Sequence, residues 1–424
     1  MTMPDTLPDW LRYLESLHPN TIALGLDRVD LVKQRMNLQP KFPVIVVGGT
    51  NGKGSVCAML EAILDAAGYR TACYTSPHLL NYNERVRINK QAVSDQSLCA
   101  SFAEIEKVRG DIPLTYFEFS TLAAMQLFMG QQVDVAILEV GLGGRLDAVN
   151  VFEGDCSIVS SVDIDHTDYL GETREQIAFE KAGIFRQGRV AICGDLDVPA
   201  AFVQHAEMIG ARLLCVGRDF GFHSHQGQWD YHSLSGTRTA LPYPALRGEF
   251  QLLNASAVLA ALDVLKPLLP VSMSAIRRGF TEVQLTGRFQ FIPGRPQLIL
   301  DVAHNPHAAR ALAKNLASMP PCPHRYAIFG MLKDKDGVGV AKALDPYIDT
   351  WLIAGIDVSR GASAEEMMDV LHQAGVSGNV VAFPDIAHAL AHACNVASEN
   401  DRITAFGSFY TVAEVMAARS LRVQ

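Results

Sequence analysis

Short runs of aliphatic and β-branched residues, each followed by a stretch of helical periodicity, set the rhythm of the first half of the chain. The runs at 43–48, 70–75, 133–140, 156–162, 189–193 and 212–216 are apolar almost throughout rather than alternating. That pattern predicts strands covered on both faces, as in a parallel sheet flanked by helices. Helical spacing fills 55–67, which stops at Gly68, and recurs at 119–129. A second series follows, with strands expected at 297–302, 325–330, 351–354, 379–383 and 402–407 and helices at 306–318, 364–374 and 386–398. Between the two series, 291–296 holds Pro293, Gly294 and Pro296 and reads as a linker. The polar, Gly- and His-containing stretch 219–244 reads as an irregular excursion or hairpin of the first series. The expectation is an α/β protein of two domains. Residues 1–290 form a parallel-sheet domain, and 297–424 a smaller Rossmann-like α/β domain. A ligand cleft is expected where two such domains meet.

Composition narrows the class without naming a function. The 424 residues are 49% hydrophobic and 19% charged, which suits large buried cores and excludes a disordered chain. A net charge of −9 argues against broad nucleic-acid or anionic-membrane binding, but not against one local anion site. None of the 8 cysteines lies in a C-x-x-C spacing, so buried free thiols in a reducing cytoplasm are expected. Asp5, Asp9, Arg12 and Glu15 interrupt any signal-like N-terminal segment. No apolar run approaches the roughly 18 residues of a membrane span. A cytoplasmic, soluble protein is the expectation.

The strongest chemical signal is Gly48-Gly49-Thr50-Asn51-Gly52-Lys53-Gly54-Ser55, between an apolar strand and a helix. Glycines permit positive φ and close backbone approach, helix-start N–H groups face phosphate oxygens, and Lys53 supplies a point charge. The spacing departs from the common P-loop. Val47 stands six residues before Lys53, and Gly54 takes the place of the metal-binding hydroxyl, which comes one residue later at Ser55. A dinucleotide loop is disfavoured, because Cys57 stands at the third glycine position and no acidic residue follows the next strand near Tyr74-Thr75.

Taken with further segments, this loop resembles that of the folylpolyglutamate synthases, within the Mur-ligase-like superfamily of ATP-dependent amide ligases. The segments are Thr75-Ser76-Pro77-His78-Leu79, Thr115-Tyr116-Phe117-Glu118-Phe119, Leu138-Glu139-Val140-Gly141-Leu142-Gly143-Gly144-Arg145-Leu146-Asp147, Asp165-His166, Glu180-Lys181-Ala182-Gly183-Ile184, Asp301-Val302-Ala303-His304-Asn305-Pro306 and Gly407-Ser408-Phe409. They span nearly the whole chain, in order, and resemble most the bifunctional dihydrofolate synthase/folylpolyglutamate synthase pattern of bacteria.

The resemblance implies a P-loop ATPase-type first domain like the Mur ligase central domain. It implies ATP on Gly49, Thr50, Asn51, Gly52, Lys53, Gly54 and Ser55, with Asn254, Arg288 and Asp301. It implies Mg²⁺ at two sites: Ser76 and Glu139 at one, His166 and Lys181 at the other, with Lys181 carboxylated by CO₂ to an anionic carbamate. Lys53, Lys181 and His166 are the implied catalytic groups. Leu24, Gly25, Leu26, Thr115, Phe117, Leu146, Asp147 and Ala148 would meet the pterin side of the acceptor, and His304 and Ser408 the incoming L-glutamate. The grouping of Asn254, Arg288 and Asp301 about the domain join implies that domain closure completes the ATP site.

Read alone, Ser76 is a turn residue, His304 a helix-start residue, Ser408 a loop residue and Phe117 a core aromatic. One departure from the bifunctional pattern is Ala23, where Asp precedes the Leu-Gly pair. The implied reaction adds L-glutamate to dihydropteroate and to the γ-carboxyl of folates through an acyl phosphate, releasing ADP and phosphate. A folylpolyglutamate synthase without dihydropteroate activity, a cell-wall Mur ligase and an ATP-driven protein-binding switch are the alternatives. Gly54 directly after Lys53 and the short segment before the first strand disfavour the Mur ligase.

Overall fold

A computed structural model describes residues 3–18, 23–248 and 250–423. The chain divides into two compact units, Met1–Ala245 with Leu252–Val283, and Leu246–Gln251 with Gln284–Gln424.

The first unit is built on eight strands: β1 Val44–Gly48, β2 Thr71–Tyr74, β3 Val86–Ile88, β4 Gln91–Ala92, β5 Val135–Glu139, β6 Cys156–Val159, β7 Val190–Cys193 and β8 Arg212–Cys215. Their order is β4-β3-β2-β5-β1-β6-β7-β8. The six from β2 to β8 are parallel, and β3 and β4 add an antiparallel edge. β1 and β5 are buried along their whole length, as continuous apolar runs require. The chain leaves β1 toward β2 on one side, and leaves β6 toward β7 on the other. The β1/β6 boundary is therefore the topological switch point, where α/β sheets bind ligands beyond the strand C-termini.

The helix after β1, Lys53–Ala66, buries ten consecutive residues from Ser55 to Leu64. It lies against the sheet on one side and the helix Met273–Glu282 on another. A Cβ on Gly279 would stand 2.5 Å from an Ile63 side-chain atom and 2.6 Å from its Cα, so only glycine allows these helices to meet this closely. The helix begins at Lys53, two residues before the expected start, so Lys53 is its first residue. The helix Tyr116–Gly130 is also longer than expected. Thr115 and Glu118 form its capping box, with Thr115 accepting from the Glu118 N–H and Glu118 accepting from the Thr115 N–H.

The stretch 219–244 is a three-stranded antiparallel sheet, β9 Phe220–His225, β10 Gln228–Ser233 and β11 Gly236–Pro242. Trp229 and Tyr231 of its middle strand are buried.

The second unit carries β12 Gln290–Ile292, β13 Gln297–Leu300, β14 Arg325–Phe329, β15 Thr350–Ala354, β16 Asn379–Phe383 and β17 Arg402–Phe406, in the order β12-β13-β17-β14-β15-β16. All pairs are parallel except β12 with β13. Here the expected linker is corrected. Residues 291–296 are the end of β12 and the turn of a hairpin within this unit, and the division between units falls at Val283/Gln284. Pro and Gly mark a tight turn and a linker alike, and periodicity over three residues cannot tell them apart.

All eight cysteines are free. Five are buried, while Cys99, Cys322 and Cys394 are partly exposed. Among the described residues no helix is long and apolar enough to cross a membrane.

Candidate active site

The loop between β1 and the helix at Lys53 is laced to the chain leaving β6. The N–H of Thr50 donates to the Ser161 carbonyl (2.8 Å) and that of Asn51 to Ser161 Oγ (3.1 Å). Ser160 Oγ and Ser161 Oγ both donate to the Asn51 carbonyl, at 2.6 and 3.0 Å. Thr50 Oγ1 accepts from the Asp163 N–H (3.0 Å). Ser160 and Ser161 were not among the sequence candidates. The signal for them is a Ser-Ser pair directly after an apolar strand that neighbours the loop strand.

Two glycines shape the loop. Gly49 has φ 141°, and a Cβ there would fall 2.1 Å from Ser160 Oγ. Gly52 has φ 86°, and a Cβ there would fall 2.7 Å from Asn254 Oδ1. Asn254, expected to join the ATP site, is thus packed directly on the loop. Lys53 Nζ donates to the carbonyls of Gly49 (3.0 Å) and Thr50 (3.1 Å), folding its charge over the loop it belongs to.

Glu139 ends β5 and is only 5% exposed. Its Oε2 accepts from the Ser76 N–H at 3.1 Å, so the two residues expected to share one Mg²⁺ are adjacent. A hydroxyl and a carboxylate are hard oxygen donors, the set Mg²⁺ prefers when phosphates and water supply the rest. Among the described residues no three His, Cys, Asp or Glu side chains converge on one point.

Lys181 lies on the helix Arg174–Ala182, whose capping box pairs Thr173 with Gln176. Lys181 is 3% exposed. Burial, reinforced by the Lys53 charge and opposed by Asp165 and Asp147, brings its amine down to about 7. Asp147 is pushed up to about 7 by burial, against the N–H groups of Leu142 and Val149 that donate to it at 2.8 and 3.0 Å. His166 precedes a short helix with φ 52°, and its Nε2 is 3.9 Å from Asp165 Oδ1. The loop 141–145 reaches the Lys181 helix because Gly144 has no side chain; a Cβ there would lie 2.9 Å from the Glu180 carbonyl.

The pterin candidates fall into two kinds. The Gly25 N–H donates to the Leu146 carbonyl (3.3 Å), joining Leu24–Leu26 to Leu146–Ala148. Phe117 is partly exposed, 5.8 Å from the Tyr74 ring, and its ring covers Gly141. Thr115 is buried, and its hydroxyl is the helix cap described above. At the departure from the family pattern, the Ala23 carbonyl accepts from Arg28 Nη2 (2.8 Å), and Arg28 in turn pairs with the buried Glu118 at 3.0 Å.

In the second unit, Arg288, His304 and Ser408 gather about Phe409. The Arg288 guanidinium is 5.3 Å from the ring centre and the His304 ring 6.2 Å. Ser408 caps the helix Phe409–Ala418, accepting from the Tyr410 N–H. Asp301 accepts from the N–H groups of Phe289 and Ala303, both at 2.8 Å. Burial raises its pKa despite Arg288 nearby.

The profile of the Mur ligase middle domain matches residues 47–262, and that of the Mur ligase glutamate ligase domain residues 287–409. A dihydrofolate synthase/folylpolyglutamate synthase of Escherichia coli (strain K12) is 45% identical over 411 residues, which cover 97% of this chain and 94% of that protein. The structure of E. coli FolC in complex with DHPP and ADP superposes with a TM-score of 0.94 at 43% identity, covering 99% of both chains. A bifunctional folylpolyglutamate synthase/dihydrofolate synthase with Mn, AMPPNP and L-glutamate bound superposes with a TM-score of 0.92 at 44% identity, over 99% of this chain and 100% of that one.

Proposed function

We propose, from the premise that this chain belongs to the Mur ligase family and within it to the dihydrofolate synthase/folylpolyglutamate synthases, a residue-level account of an ATP-dependent glutamate ligase. The enzyme adds L-glutamate to dihydropteroate and to the γ-carboxyl of folates. The observation that carries the account is a phosphate loop at the switch point together with the adjacent Glu139–Ser76 pair, in a chain that matches such ligases end to end.

A carboxylate is a poor electrophile, because its charge opposes attack by an amine. Transfer of the γ-phosphoryl group of ATP to the acceptor carboxylate forms an acyl phosphate and releases ADP. The amine of L-glutamate then attacks the acyl carbon, the C–N bond forms, the C–O bond to phosphate breaks, and phosphate leaves with the amine proton going to solvent or base. The loop N–H groups and Lys53 hold the phosphates and balance the charge that develops on the transferring group. Ser76 and Glu139 would hold a divalent cation, and His166 with carboxylated Lys181 a second. Such an ion, when bound, screens phosphate charge and orients the oxygens.

Carboxylation supplies a physical role for Lys181. An ammonium would repel the cation, whereas an amine brought down to about 7 is largely neutral above that pH and can add CO₂, losing one proton to become a carbamate. Arg288, Asp301 and Asn254 are assigned to ATP, His304 and Ser408 to glutamate, and Phe117 with Leu24–Leu26 and Leu146–Ala148 to the pterin. A cytoplasmic monomer without nucleic-acid or membrane partners agrees with the acidic composition.

Position 23 carries Ala where the bifunctional pattern has Asp. Arg28 holds the main-chain carbonyl at position 23, so the path of Leu24–Leu26 is set without a carboxylate there. Purified enzyme given dihydropteroate and tetrahydrofolate in separate reactions is expected to form a glutamyl amide with each, read by mass spectrometry. Product from the folate alone would leave only the polyglutamylating half.

A further inference from the structure

Arg87 lies in β3, outside every segment assigned above, and its guanidinium is shared among three elements of the site. Nη2 donates to Glu61 Oε2 at 2.8 Å and Nε to the same oxygen at 3.1 Å, a two-pronged pair. Glu61 is 5% exposed and sits eight residues after Lys53 on the phosphate-loop helix, about 12 Å along its axis. Nη1 of the same group donates to Thr75 Oγ1 (3.1 Å) and to the Glu84 carbonyl (3.0 Å). Thr75 directly precedes Ser76, whose N–H donates to Glu139. Thr75 is also held through its own N–H, which donates to the Arg85 carbonyl at 2.9 Å. One planar cation thereby ties the phosphate-loop helix, the turn Tyr82–Arg85 and the segment that carries the expected metal-binding hydroxyl.

A buried charge pair far from any ligand could be replaced by packed apolar groups at little cost. This pair is different, because two further hydrogen bonds leave it, one ending on Thr75 directly before Ser76 and the other on the Glu84 carbonyl. We propose that Arg87 is a positioning residue for the divalent-cation edge of the active site. It holds Thr75, and through it Ser76, at a set distance from the helix that bears Lys53. This rests on the ligase reading of the site. Lysine cannot replace it, since an ammonium that reaches Glu61 has no fork left for Thr75 and Glu84.

The test uses the whole enzyme and two variants. Arg87→Lys keeps the charge that Glu61 requires. Thr75→Val is nearly isosteric and leaves the Arg87–Glu61 pair intact. Binding of Mn²⁺ in the presence of a non-hydrolysable ATP analogue, followed by electron paramagnetic resonance, gives a readout independent of turnover. Both variants are expected to weaken Mn²⁺ binding and to raise the Mg²⁺ concentration for half-maximal rate. In Arg87→Lys kcat should fall on the order of 10- to 100-fold, the scale of a small misplacement of reacting groups, with KM for L-glutamate unchanged. Unchanged Mn²⁺ affinity and Mg²⁺ dependence in Thr75→Val, or a lowered melting temperature as the sole effect in Arg87→Lys, would overturn the proposal. Failure of the parent enzyme to form any glutamyl product would count against the ligase reading instead, since the Mn²⁺ comparison does not depend on product.

Discussion

Replacing Lys53 with alanine is expected to lower kcat about 10³-fold or more while the protein stays folded, because the charge facing the transferring phosphoryl group is worth that much in phosphoryl transfer. The fold should survive for local reasons. Lys53 is the first residue of its helix, where alanine is a good helix former. The two bonds lost, to the Gly49 and Thr50 carbonyls, contribute on the order of 1 kcal/mol each. The loop remains tied by Ser160, Ser161 and Asp163. Steady-state kinetics beside a thermal melt checks this: a large loss in kcat with a melting temperature within a few degrees is expected. Activity within tenfold of the parent would remove Lys53 from the reaction.

Replacing Lys181 with alanine is expected to cost on the order of 10²-fold or more in rate, with partial recovery on adding acetate or another short carboxylate that can occupy the vacated volume. The pH dependence carries a sign. The Lys181 amine titrates near 7 in the fold and near 10.5 when exposed, so between those values the unfolded chain binds the extra proton. The unmodified chain therefore gains stability as pH rises from about 7 toward 10.5. Below about 7 the full penalty of a buried ammonium applies, and Lys181→Ala lacks this slope. Carbamate formation needs the neutral amine and should increase as pH rises through about 7. Removing CO₂ and bicarbonate should depress the parent's rate, and restoring bicarbonate should recover it. Carbon-13 NMR with labelled bicarbonate provides a readout apart from activity: a carbamate signal in the parent and none in Lys181→Ala. Its absence from the active parent would contradict the assignment.

Much of this architecture was legible because it is written in local periodicity. Continuous apolar runs marked the six parallel strands β1, β2, β5, β6, β7 and β8 but not the short antiparallel edge of β3 and β4, and the glycine spacing with Lys53 marked the loop. What escaped depends on pairing between distant segments. Arg87 and Glu61 are 26 residues apart and meet only because β3 folds back antiparallel on β2, beside the helix after β1. Ser160 and Ser161 matter only because β6 is the neighbour of β1, a fact of strand order rather than of spacing. Thr115, read as a pterin contact from resemblance, also caps its helix through Glu118, and a capping box is visible in sequence once the helix start is placed. The turn after β12 reads as a linker in sequence because three residues are too few to show a strand period.

Net charge gains meaning from the same comparison. At −9 the whole protein repels ATP, folates and glutamate alike, so attraction must come from local groups. In the proposed account that attraction comes from Lys53 and the loop N–H groups in the first unit and from Arg288, beside Phe409, in the second.

The most direct measurement of the central claim is simultaneous quantification of ADP and glutamyl product in reactions that omit ATP, acceptor or L-glutamate in turn. The account predicts sustained turnover only in the complete mixture, with ADP and new amide formed in equal amounts. ADP produced at the full rate without L-glutamate, and with no amide formed, would contradict it.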